Sequence, residues 1–237
     1  MNPESENTEA PFYYESVCKL YEMEENEFVI RLLNEQFVVM PLASAFVYTL
    51  KDARQATGRE PWTGVIIGDK FKPNDETSRM GQLTYLLVLE QMGRCFKRKS
   101  MPEPECKYPL YKALYYYAHG RFSNDEMMAL VALRHAFAHN YYSAINIHKH
   151  GVEHLLNRVF NVTARATLPV IKLGKSWNGD LNYGSEHISI FNPIAFCQVA
   201  EEMVSNLRTL ASSGELEIAL KFGLMEMKKR FVMAMRH

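Results

Sequence analysis

The residues of this chain whose types and spacing are best suited to chemistry are Arg134, His135 and His139. Arginine is permanently charged, and its forked guanidinium fits a phosphate and the negative charge that develops on it during cleavage. Histidine titrates near neutral pH and can transfer a proton to or from a reacting oxygen. An arginine and a histidine in one cleft would therefore suffice for RNA cleavage by the ribose hydroxyl. No cluster of Asp or Glu accompanies the segment to hold Mg²⁺.

The segment LRHAFAHNY, residues 133–141, resembles the signature of the HEPN superfamily, which reads Arg-polar-x-x-x-His. The resemblance implies a helical, often dimeric ribonuclease in which the Arg and His of two protomers form one site. On that pattern Arg134 binds and stabilises the scissile phosphate, His139 transfers the proton or contacts the phosphate, and His135 takes the polar position that orients them. The implied substrate is RNA, and no cofactor is expected.

The family includes toxins, abortive-infection proteins and CRISPR-associated ribonucleases. The resemblance therefore implies a role in stress or phage defence, with an antitoxin or another regulatory partner. Two features depart from the family pattern: the polar position is His135 where asparagine is commoner, and a predicted hairpin lies outside a minimal HEPN bundle. The alternative function is a non-catalytic helical module that dimerises or binds a nucleotide or a protein, because a fold does not imply one function.

Two structural alternatives explain the same residues differently. Arg134 could bond a neighbouring carbonyl while His139 packs at an interface. His135 and His139 are also spaced i, i+4, as are His150 and His154, and this spacing lets two imidazoles share a zinc ion. The zincin pattern, however, requires Glu directly after the first histidine, and Ala136 stands there. We therefore predict no metal site.

Candidate substrate-binding residues lie before and after the motif. Arg94, Lys97 and Arg98 form a local basic cluster that could guide RNA, since phosphate neutralisation supplies most sequence-independent affinity. Tyr141 and Tyr142 are further candidates, and the tyrosines that follow the basic cluster could stack on bases. The alternative is a solvated helix end followed by core tyrosines, which are Tyr108, Tyr111, Tyr115, Tyr116 and Tyr117.

The motif helix is predicted to have two non-solvent faces. At helical spacing one stripe, which we assign to the core, consists of Leu130, Leu133, Phe137, Tyr141 and Ala144. The opposite face is not typical of a solvated helix either; it carries Met128, Ala132, His135, His139 and Tyr142. Arg134 and His139 lie roughly 140° apart around an ideal helix, so one chain does not point both at one target. A homodimer paired through this face would bring the two side chains together, since a two-fold interface is self-complementary.

The periodicity predicts an all-α fold with a small β-hairpin near 167–191, and the resemblance implies that the fold is a HEPN-like helical bundle. The predicted helices cover 28–56 with a break at Pro41, 76–98, 110–119, from Ser123 or Asn124 to 150, 193–212, and Gly214 to the C-terminus. Asn192 is the expected N-cap of the fifth, with Pro193 at its first position.

Composition sets the broad class. The chain has 237 residues, 47% of them hydrophobic, and equal numbers of acidic and basic side chains, 27 each. That is enough to bury a large core, and no global field favours nucleic acid or a membrane. The four cysteines are too widely spaced for a zinc or redox motif, and no apolar run is long enough to span a membrane. We expect a cytoplasmic protein with a disordered segment at 1–11 and a single helical domain at 12–237.

Overall fold

The computed structural model describes residues 18–34, 42–67, 76–140, 144–145, 158–163, 167–177, 180 and 182–234. The side chains of residues 76–78, 139–140, 144–145 and 234 are not described. The predicted disordered segment at 1–11, the break at Pro41, and Tyr141 and Tyr142 therefore lie outside the described residues.

Helices form most of the described chain. They are a helical turn at 18–22, α1 (Glu25–Leu33), α2 (Ala45–Ala56), α3 (Glu76–Cys95), α4 (Pro109–Tyr117), α5 (Asn124–Asn140), α6 (Pro193–Ser212) and α7 (Gly223–Phe231). The motif lies in α5. Two separate helices, α1 and α2, occupy the first predicted helical region, and the predicted helix at 193–212 is confirmed.

The all-α prediction is wrong, because short strands form three small sheets. The strands are β1 (Leu42–Ser44), β2 (Phe96–Arg98), β3 (Ala144–Ile145), β4 (Arg158–Val162), β5 (Ile171–Lys172), β6 (Ile188–Phe191), β7 (Leu216–Ile218) and β8 (Val232–Ala234). β1 pairs antiparallel with β8, and β2 with β7. The third sheet has the order β3-β4-β6-β5. The predicted hairpin is confirmed as β5 and β6, but β6 also pairs in parallel with β4.

Three of the predicted helices wrongly included residues that form strands. The helix at 76–98 ends at Cys95, the motif helix ends at Asn140 rather than 150, and the C-terminal segment contains β7 and β8 on either side of α7. Most of these strands are two or three residues long. Such lengths carry almost no alternating pattern, so a helical period runs across them unnoticed.

The helix starts follow from local capping chemistry. The Ser44 hydroxyl accepts a hydrogen bond from the backbone N of Val47 at 3.2 Å, which begins α2. Ser123 and Glu126 form a reciprocal capping box at the start of α5, with bonds of 3.3 and 2.8 Å. Asn192 and Pro193 open α6 as predicted, although the Asn192 amide donates to the carbonyl of Leu168 at 2.8 Å.

The core surrounds α5 on nearly every side. The described part of the predicted core stripe, Leu130, Leu133 and Phe137, is buried, and so are Met128 and Ala132 on the opposite face. Their non-solvent character is therefore explained by packing within this chain. Among the described residues, no helix combines the length and apolar character needed to cross a bilayer.

Close approach of α3 and α4 depends on Gly93. A Cβ at Gly93 would lie 1.9 Å from the carbonyl oxygen of Pro109, far inside contact distance. Only glycine permits this backbone approach. It brings the C-terminal end of α3 against the start of α4, and the last two turns of α3 carry two of the charged residues described next, Glu90 and Arg94.

Candidate functional site

Arg134 is held by a carboxylate of a neighbouring helix. Its Nε donates to Oε2 of Glu90 on α3 at 2.7 Å, and the Arg134 and Glu90 side chains are only 20% and 14% exposed. The other oxygen of Glu90 accepts from Nη2 of Arg94, one turn later on α3, at 3.2 Å. One carboxylate therefore orients two guanidiniums, and the sequence motif supplies only one of them.

These side chains line an open cleft of about 450 Å³. Its lining residues come from α2, α3, α5 and α7: Thr49, Leu87, Glu90, Gln91, Arg94, Arg134, Arg230 and Phe231. The lining contains three guanidiniums, those of Arg94, Arg134 and Arg230, and one carboxylate, that of Glu90. Clefts lined by one sign of charge attract ligands of the opposite sign, so the arrangement favours an anion.

His135 lies on a different side of α5 from Arg134. Its ring meets Tyr108 edge to face, with the ring centroids 6.0 Å apart. Tyr108 is partly exposed, and nearby Cys106 contacts the sulfur of Met128 at 3.8 Å. This environment fixes the His135 ring beside the loop that precedes α4, away from the cleft that holds Arg134.

The His139 side chain is outside the described residues, but the backbone of α5 is helical through Asn140. His139 follows Arg134 by five positions in a continuous helix, which places the two residues roughly 140° apart around the axis. Arg134 is directed toward α3. The two predicted catalytic side chains therefore start from different sides of one helix, as the spacing indicated.

The predicted basic cluster does not act as a unit. Arg94 lines the cleft, but α3 ends at Cys95. The residues that follow belong to β2, in which successive side chains point to opposite faces of the sheet. Lys97 forms a salt bridge of 2.9 Å with Glu217 of β7. Arg98 donates to the hydroxyl of Ser100 at 3.0 Å. Within the described part of the chain, neither Lys97 nor Arg98 lines the cleft.

The tyrosines of α4 belong mainly to the core. Tyr116 and Tyr117 are almost fully buried, and burial raises the pKa of the Tyr117 hydroxyl. Tyr111 donates to the side-chain oxygen of Asn124 at 2.9 Å and so ties α4 to the start of α5. These contacts support the core interpretation over base stacking for this segment.

Sequence reasoning missed Glu90 and Arg230 as parts of the site. The Glu90–Arg94 spacing of i, i+4 is a detectable sign of an ion pair on one helix face. Arg230 ends a basic run, Lys228-Lys229-Arg230, in the last turn of α7. Neither signal indicates that α3, α5 and α7 meet at one cleft, because that convergence is a property of the packing.

Among the described residues, no group of three or more His, Cys, Asp or Glu side chains is placed to hold a metal ion. His150 and His154 of the zinc alternative lie outside those residues. The cysteines that the structure describes are free thiols, and burial raises the pKa of Cys95 and of Cys197 to about 12.

Comparison with known proteins adds no relative to this picture. No family model, no curated protein and no solved structure matches the chain. The resemblance to the HEPN superfamily therefore depends on the motif residues themselves and on the chemistry that their surroundings allow.

Proposed function

We propose that this protein is a metal-independent endoribonuclease of HEPN type. The observation that carries the proposal is the orientation of Arg134 by Glu90 into an open cleft that it shares with Arg94 and Arg230. A guanidinium that is already oriented before substrate arrives loses little reorganisation energy when it stabilises a developing charge.

In the proposed reaction the ribose 2′-oxygen attacks the adjacent phosphorus. The O2′–P bond forms and the P–O5′ bond breaks, which leaves a 2′,3′-cyclic phosphate and a free 5′-hydroxyl. Arg134 binds a non-bridging oxygen and stabilises the added charge of the phosphorane. His139 accepts the 2′-hydroxyl proton, and a proton is returned to the leaving 5′-oxygen. Because the proton is only transferred, no oxidant or reductant is needed.

The active form that we propose is a homodimer. The argument no longer depends on Met128 and Ala132, which pack inside the chain. It depends on the roughly 140° between Arg134 and His139 on one helix. A two-fold axis beside α5 would bring His139 of a second copy toward Arg134. Such a nuclease would act in the cytoplasm in stress or phage defence, under restraint by an antitoxin or another regulatory partner.

One observation favours the non-catalytic binding module as a second candidate. The Arg134–Glu90 pair satisfies the motif arginine within the chain, as a purely structural pair would. In that case the cleft would hold a nucleotide or a protein carboxylate without cutting anything. Activity measurements separate the two candidates.

The test is cleavage of an unstructured RNA in the presence of EDTA. We expect Arg134→Ala and His139→Ala each to lower the rate by about a hundredfold or more, the scale typical of losing charge stabilisation or proton transfer. Arg31→Ala is the matched control, since Arg31 sits in an exposed i, i+4 pair with Glu27. The wild-type protein should leave a linkage with a 2′-deoxyribose intact. Cleavage at that linkage, or activity that requires added zinc, would contradict the mechanism.

Mixing the two inactive variants tests the composite site. In a mixed dimer, one site would combine the intact Arg134 of one protomer with the intact His139 of the other. Random exchange of subunits should then restore about a quarter of the wild-type rate, since half of the dimers are mixed and each has one good site. A mixture as inactive as its components would contradict a site shared between protomers.

A further inference from the structure

Part of the cleft comes from the last two residues of α7. Arg230 and Phe231 form the part of its wall that α7 contributes, and Arg134 of the motif helix lines the same cleft. Arg230 is paired at 3.0 Å with Glu226, one turn earlier, but its side chain remains 59% exposed. Its guanidinium is thus tethered at the rim of the cleft while much of its surface stays accessible to a ligand.

This wall is anchored firmly. Lys228 is buried, and its ammonium donates to the carbonyl oxygens of Tyr21 and Met23, each at 3.0 Å. Burial lowers the pKa of Lys228. Immediately after α7, β8 pairs with β1 in a register that sets Val232 opposite Ser44. The last turn of α7 is therefore anchored both by Lys228 and by the strand that follows it.

The local charge is unbalanced toward positive. Arg94, Arg134 and Arg230 come from three different helices, and the carboxylates paired with them are those of Glu90 and Glu226. Three cations against two anions leave one positive charge at the cleft for a ligand to balance. Charge-assisted bonds from guanidinium to phosphate are the strong, geometrically specific kind.

An apolar surface lies beside this charge. Leu87 and Phe231 line the same cleft, and Phe231 is only partly buried. A phosphate next to a planar base presents the matching pair of surfaces, one anionic and one flat and apolar. The cleft volume of about 450 Å³ lies within the range of small-ligand sites.

We infer that Arg230 and Phe231 form a subsite that binds the nucleotide next to the scissile linkage of a single-stranded RNA, with Arg230 on its phosphate and Phe231 against its base. The inference rests on the proposed function, because that proposal places the scissile phosphate at Arg134. A free nucleotide shares the same phosphate and base, so the experiment separates these two sources.

The experiment measures binding apart from cleavage. A fluorescent 2′-O-methyl oligonucleotide, which has no free 2′-hydroxyl to attack, is titrated with full-length protein at several salt concentrations. We expect Arg230→Ala to weaken its binding about tenfold and to reduce the slope of log affinity against log salt by about 0.7, the value for one phosphate contact on a single strand. Arg230→Lys should retain most of the slope, and Phe231→Leu should weaken binding with the slope unchanged.

Arg31→Ala is again the matched control, because Arg31 also sits in an i, i+4 pair with a glutamate and is 50% exposed, yet lies on α1 away from the cleft. Its binding should equal that of the wild type. On cleavable RNA, Arg230→Ala should raise KM with little change in kcat, as expected when binding is lost equally from the ground and transition states.

The outcomes distinguish this inference from the proposed function. Oligonucleotide binding by Arg230→Ala that equals the wild type overturns the subsite, whatever the nuclease activity. If Arg230→Ala weakens oligonucleotide binding but the wild-type protein does not cleave RNA, the result supports the subsite and contradicts the proposed nuclease activity. A nucleoside monophosphate that binds in an Arg230-dependent manner while the oligonucleotide does not overturns the assignment to an RNA strand.

Discussion

Among the residues that the structure describes, two arginine–glutamate pairs join helices, one sealed inside the fold and one open to a cleft. Arg54 of α2 and Glu201 of α6 form a bidentate pair with two bonds of 2.8 Å, and the Arg54 side chain is 3% exposed. Tyr85 of α3 donates to the same carboxylate at 2.5 Å. Arg134 and Glu90, by contrast, meet through Nε alone, and Glu90 divides its oxygens between Arg134 and Arg94.

The sealed pair also positions the loop that follows α2. Nη1 of Arg54 donates to the carbonyl oxygens of Pro61 and Trp62, at 3.0 and 2.6 Å. Gly64 passes close to the pair with a φ of +73°, where an added Cβ would lie 2.9 Å from a carboxylate oxygen of Glu201. The contacts of Arg54 serve the fold on all sides, whereas Arg134 borders a cleft. The difference between the two pairs is one of access, since Arg134 borders an open cleft and Arg54 does not line it.

The largest expected effect is on stability. Arg54→Ala should lower the free energy of unfolding by about 3 to 5 kcal/mol, because it leaves the Glu201 carboxylate buried without its main partner. Arg134→Ala should lower the free energy of unfolding by only about 1 to 2 kcal/mol, since the Glu90 carboxylate keeps its hydrogen bond with Arg94. Urea denaturation of both variants measures the difference. Equal losses of unfolding free energy would contradict the distinction between the two pairs. If Arg54→Ala does not fold, the same ranking is expected for Arg54→Lys and Arg134→Lys.

The pH dependence of stability should expose the same contrast with a smaller effect. Burial alone would raise the pKa of the Glu201 carboxyl, but the hydrogen bonds from Arg54 and Tyr85 and the nearby positive charges lower it below its ordinary value. A carboxyl with a lowered folded-state pKa contributes stability above its ordinary pKa, and this contribution is lost as the pH falls through the folded pKa. The gap in unfolding free energy between wild type and Glu201→Gln should therefore narrow in acid. A gap that stays constant from neutral to acidic pH would contradict the role given to Glu201.

The smallest effect concerns the outer edge of the sealed pair. The Lys51 ammonium lies 3.4 Å from the ring centroid of Trp62, whose carbonyl accepts from Arg54. Lys51→Met should lower the free energy of unfolding by about 0.5 to 1 kcal/mol, the typical contribution of an exposed cation–π contact. Lys221→Met is the comparison, since Lys221 lies 5.2 Å from the exposed Phe222 ring and should contribute less. A larger loss from Lys221→Met would contradict this ranking.

Local chemistry in the sequence determined where several helices begin and what the motif could do. Asn192 and Pro193 predicted the start of α6, and the Ser123–Glu126 spacing is that of the capping box found there. Both signals act within one turn of helix, so they can be read from neighbouring residues. The residue types of Arg134 and His139 likewise limit the chemistry before any fold is known.

Tertiary structure alone decided the small sheets and the composition of the cleft. β1 finds its partner β8 about 190 residues later in the chain, and two- or three-residue strands exist only because such pairing satisfies their backbone groups. The same long-range pairing sets α7 beside α2 and α3, and so brings Arg230 to the cleft that Arg134 enters from α5. No local pattern encodes this meeting, because it depends on the packing of helices from opposite ends of the chain.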